Sequence, residues 1–260
     1  MRLIQQSTVI ENINLDGVQI NIIKIHGDLL PNNVLAIVCG RSNCGKTNAV
    51  INLILSINGL KFKNIYIFSK SLGQSKYQLL KKIIKVLKFI GFFTFSNNAD
   101  VTALEKAKPF SVFIFDDVSC EKQNTIRDYY SRGRHKWINS FYLAQTYTKI
   151  PKQLIRDNAN FLMIFPQDNR NLKHIYDEHI NSDMSYKEFL KMCRLCWQEK
   201  HNFLTIAKDY PLSNGRYRNG FSKYFEIQPE EECFIEKQQD KPVKRTEMSG
   251  EPKAKKLKRL

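Results

Sequence analysis

Short apolar runs alternate with amphipathic stretches along most of the chain, and each pattern predicts one kind of element. Runs rich in β-branched and aromatic residues predict strands buried on both faces of a sheet. They lie at 34–39, 65–68, 112–115, 140–143, 161–165 and 203–206. Apolar residues at helical spacing predict helices. These lie at 48–57, 79–88, 121–132, 170–180 and 185–197, with a short further helix after Pro151.

The alternation of strands and helices predicts an α/β fold, with a mainly parallel central sheet covered by helices on both faces. The second helix carries lysines beside its apolar face, which form either a solvated surface or a contact surface for DNA. They are Lys81, Lys82, Lys85 and Lys88.

Both ends of the chain depart from this pattern. Residues 1–31 carry only short alternation, such as Val18-x-Ile20-x-Ile22, and predict an N-terminal arm or hairpin. Residues 229–260 are rich in Glu, Lys, Gln and Pro and predict a disordered tail. The region 32–228 is therefore predicted to be the folded domain.

Composition and the N-terminal sequence indicate the cellular compartment in which the protein is expected. Apolar residues make up 42% of the 260 residues, which is enough for a core. We expect no membrane partner, because no apolar run approaches the roughly 18–20 residues that span a bilayer. The N-terminus lacks a signal-peptide pattern, so an intracellular protein that is not secreted is expected. Six cysteines without a disulfide-like pattern fit a reducing compartment.

The charge points to a polyanionic partner. The chain has 41 Lys and Arg against 25 Asp and Glu, a net charge of +16. Two basic clusters lie in the predicted tail, Lys241–Arg245 and Pro252–Arg259. They match a bipartite nuclear import signal, and a non-specific DNA tether and a merely solvated tail remain open alternatives.

A phosphate-binding P-loop is predicted directly after the first strand. Residues Gly40 to Thr47 read G-x-x-x-x-G-K-T and lead into the first helix. Backbone N–H groups of such a loop surround phosphate oxygens, the lysine reaches the β- and γ-phosphates, and the threonine hydroxyl ligates Mg²⁺. ATP and Mg²⁺ are therefore the predicted ligands, held by Gly40, Arg41, Ser42, Asn43, Cys44, Gly45, Lys46, Thr47 and Asn48.

Acidic and amide side chains end two later strands. The third strand ends in Asp116-Asp117, the pattern of a Walker B motif. Asp116 is the candidate Mg²⁺ ligand with Thr47, and Asp117 is the candidate that orients and polarises the attacking water. The fourth strand is followed by Gln145, which we expect to contact the γ-phosphate or that water.

Cys193-x-x-Cys196 has the spacing of half a zinc site, but no second Cys/His pair matches it. Apolar neighbours on the same helix favour buried structural cysteines, and a metal site remains the alternative.

The spaced motifs resemble one family over residues 33–207. Their order is the P-loop, the acidic pair, Gly133-Arg134 before a strand ending in Ala144-Gln145, and Ile155-Arg156-Asp157-Asn158 before the next strand. This order is similar to the RecA-like P-loop core of the FtsK–HerA superfamily of DNA-pumping ATPases. The resemblance is nearest to genome-packaging ATPases of the poxvirus type and of polintons, adintoviruses and virophages.

The resemblance implies a pentameric or hexameric ring that hydrolyses ATP, translocates double-stranded DNA and packages a viral genome, with capsid proteins as partners. It implies work in the host nucleus or at the viral assembly site. It also implies that an arginine of one subunit reaches the nucleotide of its neighbour, with Arg134 and Arg156 as matching candidates and Arg132 as a third. Asn43-Cys44 departs from the Gly-Ser type usual in the family's P-loop.

Two other interpretations remain open, and two more are disfavoured. The chain could be a cellular or plasmid DNA translocase or helicase of the same superfamily, or a non-hydrolysing DNA-binding scaffold with a vestigial P-loop. A small-molecule kinase is disfavoured, since no acceptor pocket or arginine-bearing lid is indicated. A GTPase is disfavoured because no Asn-Lys-x-Asp motif occurs.

Overall fold

The computed structural model describes residues 24–227. Most of the predicted N-terminal arm, Cys233 and the basic tail lie outside these residues. The strands are β1 Leu35–Cys39, β2 Asn64–Ser69, β3 Gly91–Phe95, β4 Ser111–Asp116, β5 Ile138–Ala144, β6 Phe161–Ile164, β7 Leu204–Ala207, β8 Tyr217–Asn219 and β9 Lys223–Phe225. The helices are α1 Lys46–Leu55, α2 Ser75–Val86, α3 Asn124–Arg132, α4 Asn169–His179 and α5 Tyr186–Cys196.

The strands form one nine-stranded sheet in the order β3-β2-β4-β5-β1-β6-β7-β8-β9. The strands from β3 to β6 in this order are parallel, and β7, β8 and β9 continue the sheet with antiparallel pairing. In the central pairs, Cys39 lies opposite Ala144 and Asp116 lies opposite Leu143. The carboxyl ends of β1, β4 and β5 therefore meet at one edge of the sheet, where the polar residues that follow them collect.

Helices cover both faces of the sheet, and one hydrophobic core lies under each face. Helices α1 and α2 pack on one face with residues such as Ala36 and Ile67. Helices α3, α4 and α5 pack on the other face with residues such as Ile37 and Phe68. Successive residues of a buried strand thus enter opposite cores, which explains why the central strands read as continuous apolar runs.

Local side-chain hydrogen bonds fix the starts of the last two helices. The Asp168 carboxylate accepts from the Asn171 backbone N–H at 2.9 Å, which caps α4. Ser185 and Glu188 form a reciprocal capping box at the start of α5.

Three strands and three helical segments differ from the sequence prediction. Helix α2 begins at Ser75 rather than at Leu79 and ends at Val86 rather than at Lys88. Strands β3, β8 and β9 were not predicted; β3 is only partly buried, and β8 and β9 have three residues each. Helix α3 begins at Asn124 rather than near Glu121, because the side-chain amide of Gln123 instead closes a turn onto the Val118 and Glu121 carbonyls. The segment after Pro151 is a single distorted turn in which Leu154 has φ 68°.

No helix between residues 24 and 227 combines the length and the apolar character that crossing a bilayer would require.

Candidate active site

The P-loop connects β1 to α1 at the carboxyl edge of the sheet. Gly45 immediately precedes α1 and has φ 114°, a conformation that favours glycine. A Cβ on Gly40 would lie 2.5 Å from the Phe165 Cβ and 2.6 Å from the Cys44 Sγ, so only glycine fits there. Asn43 also has positive φ, at 58°. These conformations fold the loop back towards the helix start, as a phosphate cradle requires.

The Lys46 side chain lies across this loop. Its Nζ donates to the Gly40 carbonyl at 2.6 Å and to the Arg41 carbonyl at 2.9 Å. The ammonium group is therefore held at the mouth of the cradle, beside the backbone N–H groups that would meet a phosphate chain.

The acidic pair lies at the end of β4. Asp116 is its last residue and is 7% exposed, and Asp117 follows with φ 57°. Burial raises the pKa of Asp116, and the charge of Asp117 adds to this, while the hydrogen bond from Tyr77 and the charge of Lys46 act in the opposite direction. A carboxylate held partly desolvated beside a lysine is suited to a divalent cation, whose charge would favour its ionised form.

Tyr77 connects the acidic pair to α2. Its hydroxyl donates to Asp116 Oδ2 at 2.7 Å, and its ring is buried in the first turn of the helix. Burial beside Asp116 raises the pKa of Tyr77 far above its ordinary value, so the phenol remains a hydrogen-bond donor. No sequence motif signals this contact, because it depends on how α2 packs against β4.

A cavity of about 460 Å³ brings many of the predicted residues together, whereas Gly40, Arg41, Cys44 and Asn48 do not line it. Lys46, Thr47, Asp116, Asp117 and Gln145 all line it. The remaining lining residues are Ser42, Asn43, Gly45, Ser71, Gln74, Ser75, Lys76, Leu143 and Ala144. Of these, the four residues Ser71, Gln74, Ser75 and Lys76 belong to the β2–α2 connection and the start of α2, which the sequence analysis did not include in the site.

Lys76 changes the charge of the site. The P-loop motif predicts one lysine at the phosphates, whereas the cavity wall contains both Lys46 and Lys76. A second positive charge is thus available within the same chain.

The cavity fits a nucleotide and a hard cation. The loop offers backbone N–H groups and a helix start to phosphate oxygens. Thr47 and Asp116 offer oxygen ligands, which Mg²⁺ prefers. The unusual Asn43-Cys44 pair does not disturb this arrangement, since positive φ is tolerated by asparagine and Cys44 is half-buried against the Gly40 side of the loop.

The candidate arginines lie away from this cavity. Arg134 precedes β5 in the chain, at the opposite edge of the parallel sheet, and its side chain is exposed. Arg156 lies before β6, pairs with Glu178 at 2.7 Å and has its guanidinium 5.1 Å from the Tyr147 ring centroid. Arg132 pairs with Asp128 and Glu105 on the surface. None of them lines the nucleotide cavity of its own subunit.

Cys193 and Cys196 lie on the buried face of α5. Both thiols are free and buried on α5, and burial raises the pKa of Cys196 to about 12. Within the part of the chain that the structure describes, no cluster of three or more His, Cys, Asp or Glu side chains could hold a metal ion.

The sequence matches no protein-family model and no curated protein. Among solved structures, the fold is similar to that of the genome packaging NTPase B204 from Sulfolobus turreted icosahedral virus 2. The AMPPCP complex of that protein has a TM-score of 0.50 and 12% identity, over 69% of this chain and 95% of B204. Its sulfate complex has a TM-score of 0.50 and 13% identity, over 69% and 94%. The predicted RecA-like α/β fold is confirmed, and so, at the level of the fold, is the resemblance to a viral genome-packaging ATPase.

Proposed function

We propose that this chain is an ATPase that uses ATP hydrolysis to move double-stranded DNA into a viral capsid. The observation that carries the ATPase assignment is the meeting of Lys46, Thr47, Asp116, Asp117 and Gln145 in one cavity beside a P-loop. These residues come from three separate parts of the chain, and together they supply a phosphate cradle, a cation ligand set and groups for a water molecule.

Each side chain has one role in the proposed hydrolysis. Lys46 neutralises charge on the β- and γ-phosphate oxygens. Asp117 accepts a hydrogen bond from the attacking water and takes its proton as the new oxygen–phosphorus bond forms and the bond to the leaving ADP oxygen breaks. Gln145, exposed in the cavity wall, holds the water or a γ-phosphate oxygen in line.

Thr47 and Asp116 would hold Mg²⁺, with Tyr77 orienting the carboxylate. When bound, the cation neutralises charge that develops on the phosphate oxygens.

DNA is the proposed substrate for movement. The net charge of +16 favours a polyanion, and the fold is similar to that of a protein described as a genome packaging NTPase. We propose that subunits assemble as a pentameric or hexameric ring around the duplex and that the ring meets capsid proteins in the host nucleus or at the viral assembly site.

A neighbouring subunit is proposed to complete the active site. Arg134 is the preferred arginine, because it is exposed and forms no salt bridge within residues 24–227. Arg156 remains a candidate, but its ion pair with Glu178 already uses its charge inside the subunit. A cavity of about 190 Å³ beside Asp117 and Gln145 offers an approach to the γ-phosphate position.

The test is ATP hydrolysis with and without double-stranded DNA. We expect Mg²⁺-dependent hydrolysis that DNA stimulates, and stimulation that weakens steeply with salt, since each phosphate contact contributes about −0.9 to the slope of log K against log salt. Lys46→Ala should abolish hydrolysis while leaving the thermal melting temperature within a few degrees of that of the unmodified chain.

The outcomes separate the rival functions. DNA binding without any hydrolysis would favour a scaffold with a vestigial P-loop. Hydrolysis stimulated by DNA, but without uptake of DNA into capsids in a packaging assay, would favour a translocase or helicase that works outside a virus.

A further inference from the structure

A second cavity of about 420 Å³ lies on the other side of the P-loop. It shares Asn43, Gly45 and Lys76 with the first cavity, so the two are neighbours. None of the chemistry proposed above uses it. Its volume lies within the range of about 300–1,000 Å³ that is common for small-molecule sites.

The position of the hydrolytic groups fixes the direction of a bound nucleotide. Asp117 and Gln145 mark the γ-phosphate end, and both also line the small cavity described above. No residue that lines that small cavity lines the second one. Because a nucleoside triphosphate is a linear chain from γ-phosphate to base, its nucleoside must leave the P-loop on the side away from Asp117, where the second cavity lies.

The wall of the second cavity suits a planar base with polar edges. Phe203 and Phe221 line it, with ring centroids 4.9 Å apart in an edge-to-face arrangement. Phe203 is also supported from behind by Phe165, again at 4.9 Å. Asn48 and Asn52 expose amide groups one turn apart on α1. Aromatic faces stack on bases of any kind, and amides can donate to and accept from base edges.

Hydrogen bonds hold this wall against the P-loop. The Asn202 amide donates to the Asn219 side chain at 2.6 Å, and the Thr205 hydroxyl donates to the Gly220 carbonyl at 2.6 Å. Next to them, His201 Nδ1 lies 3.2 Å from the carbonyl oxygen of Cys44 in the P-loop. The turn between β8 and β9, which carries Phe221, is therefore fixed beside the loop before any ligand binds.

We propose that the second cavity binds the nucleoside of the nucleotide, with the base against the Phe221 ring and its polar edge towards Asn48 and Asn52. This inference rests on the proposed function, since it assumes that the P-loop holds the triphosphate. It gives the antiparallel end of the sheet a role, because the residues just before β7 and the turn between β8 and β9 build the wall that contacts the base.

The experiment compares two ligands by calorimetry in the presence of Mg²⁺. Inorganic tripolyphosphate can occupy the P-loop alone, whereas ATP can occupy both cavities. The unmodified chain should bind ATP about 10-fold or more tighter than tripolyphosphate, because stacking on one aromatic side chain is worth about 1–3 kcal/mol. Phe221→Ala should remove most of that difference while leaving tripolyphosphate affinity within about twofold.

Three variants serve as controls. Tyr224→Ala removes an exposed ring from the same hairpin and should change neither affinity. Phe221→Trp keeps an aromatic face and should retain tight ATP binding, which separates stacking from folding. Lys46→Ala should weaken both ligands.

The possible failures can be told apart. If the unmodified chain binds ATP no more tightly than tripolyphosphate, or if Phe221→Ala changes the two affinities by the same factor or not at all, the nucleoside site is wrong and the ATPase assignment stands. If neither ligand binds the unmodified chain, the proposed function fails, and the nucleoside site fails with it.

Discussion

Asp117 combines an unusual backbone conformation with a position at the reacting end of the cavity. Its φ of 57° is rare outside glycine, and asparagine and aspartate tolerate it best. Strained positions of this kind cluster at functional sites. Asp117→Asn keeps the backbone preference and the shape of the side chain but removes the proton acceptor.

We therefore expect Asp117→Asn to bind ATP with an affinity close to that of the unmodified chain and to hydrolyse it about 10²–10⁴-fold more slowly. Equilibrium binding of a fluorescent ATP analogue and single-turnover hydrolysis measure the two effects separately. Hydrolysis at the original rate would exclude Asp117 as the base.

Tyr77 is a positioning residue for the proposed Mg²⁺ ligand. Tyr77→Phe removes only the hydroxyl that donates to Asp116. Loss of a partner that orients a metal ligand typically costs about 10–100-fold in metal affinity or activity. The Mg²⁺ concentration for half-maximal hydrolysis should rise by about that factor, and saturating Mg²⁺ should restore much of the rate.

The matched control is Tyr130→Phe, which removes an equally buried hydroxyl whose partner is the Ala36 carbonyl, outside the cavity. This variant can lower stability but should leave the Mg²⁺ midpoint unchanged. Equal midpoints in both variants would show that the Tyr77 hydrogen bond is only structural.

At the scale of single residues, the sequence predicts those parts of the site that lie in a local motif. The P-loop and the acidic pair are contiguous, so their spacing identifies them without a structure. Tyr77 and Lys76 belong to the site only because α2 starts at the carboxyl edge of the sheet and packs beside Asp116. His201 and Phe221 lie beside the P-loop because β7 pairs with β6 and β8 pairs with β7, and no local pattern encodes these pairings.

Helix α4 ends in a buried polar cluster with Tyr147. The Tyr147 hydroxyl donates to Glu178 Oε2 at 2.6 Å and lies 2.7 Å from His179 Nε2. Among the residues that the structure describes, the buried His179 Nδ1 has no hydrogen-bond partner. Burial, together with the smaller effect of the Lys208 and Arg156 charges, lowers the pKa of His179 from 6.5 to about 3.

His179 should make stability depend on pH. In the folded chain it stays neutral, whereas the unfolded chain takes up a proton as pH falls through 6.5. The unfolded state thus binds more protons between about pH 3 and 6.5, so this contribution is complete above 6.5 and is lost as pH falls. At pH 5.5 the loss should be about 1 kcal/mol relative to pH 7.5.

Urea unfolding of His179→Gln at these two pH values measures the effect. This variant cannot take up a proton at the site, so its stability should fall less between the two pH values than that of the unmodified chain. His174→Gln, on the exposed side of the same helix, should keep the original pH dependence. Identical pH dependence in all three proteins would contradict the assignment of His179 as a buried neutral base.

Strands were predictable from the sequence where both of their faces are buried. Five of the six parallel strands in residues 24–227 coincide with apolar runs, because each contributes residues to both cores; they are β1, β2, β4, β5 and β6. Strand β3 is the outermost strand of the sheet and is only partly buried. Burial therefore imposes a weaker apolar pattern on its sequence. Strands β8 and β9 are stabilised by pairing with β7 rather than by a pattern of their own.

On the scale of the whole molecule, different groups collect at the carboxyl ends and at the amino ends of the parallel strands. The carboxyl edge holds the phosphate cradle, the acidic pair and Gln145. The amino edge holds the turn before β5, which exposes Arg134. Since these two ends of the strands face in opposite directions, Arg134 does not line the P-loop cavity of its own chain. In the ring proposed above, a head-to-tail arrangement would bring Arg134 of one subunit to the P-loop of the next. The sequence motifs identify the P-loop and Arg134. Only the structure of the parallel sheet shows that they lie at opposite ends of its strands.

The trans role of Arg134 can be tested by mixing two inactive proteins. Lys46→Ala removes the phosphate contact but keeps Arg134, and Arg134→Ala does the reverse. In mixed rings, some interfaces pair an intact P-loop with an intact arginine of the neighbour, so part of the hydrolysis should return. An arginine supplied in trans can be worth about 10³–10⁵-fold in rate, which makes even a few restored interfaces measurable.

Arg156→Ala is the informative comparison, because it breaks the ion pair with Glu178 inside the subunit. We expect Arg156→Ala to lose stability, since a partly buried carboxylate is left without its ion-pair partner. A mixture of Arg156→Ala with Lys46→Ala should recover far less activity than a mixture of Arg134→Ala with Lys46→Ala. Rescue by Arg156→Ala but not by Arg134→Ala would make Arg156 the trans residue. If mixed rings form and neither variant is rescued, the trans assignment is wrong for both arginines, and Lys76, which lines the cavity of the same chain, becomes the next residue to test.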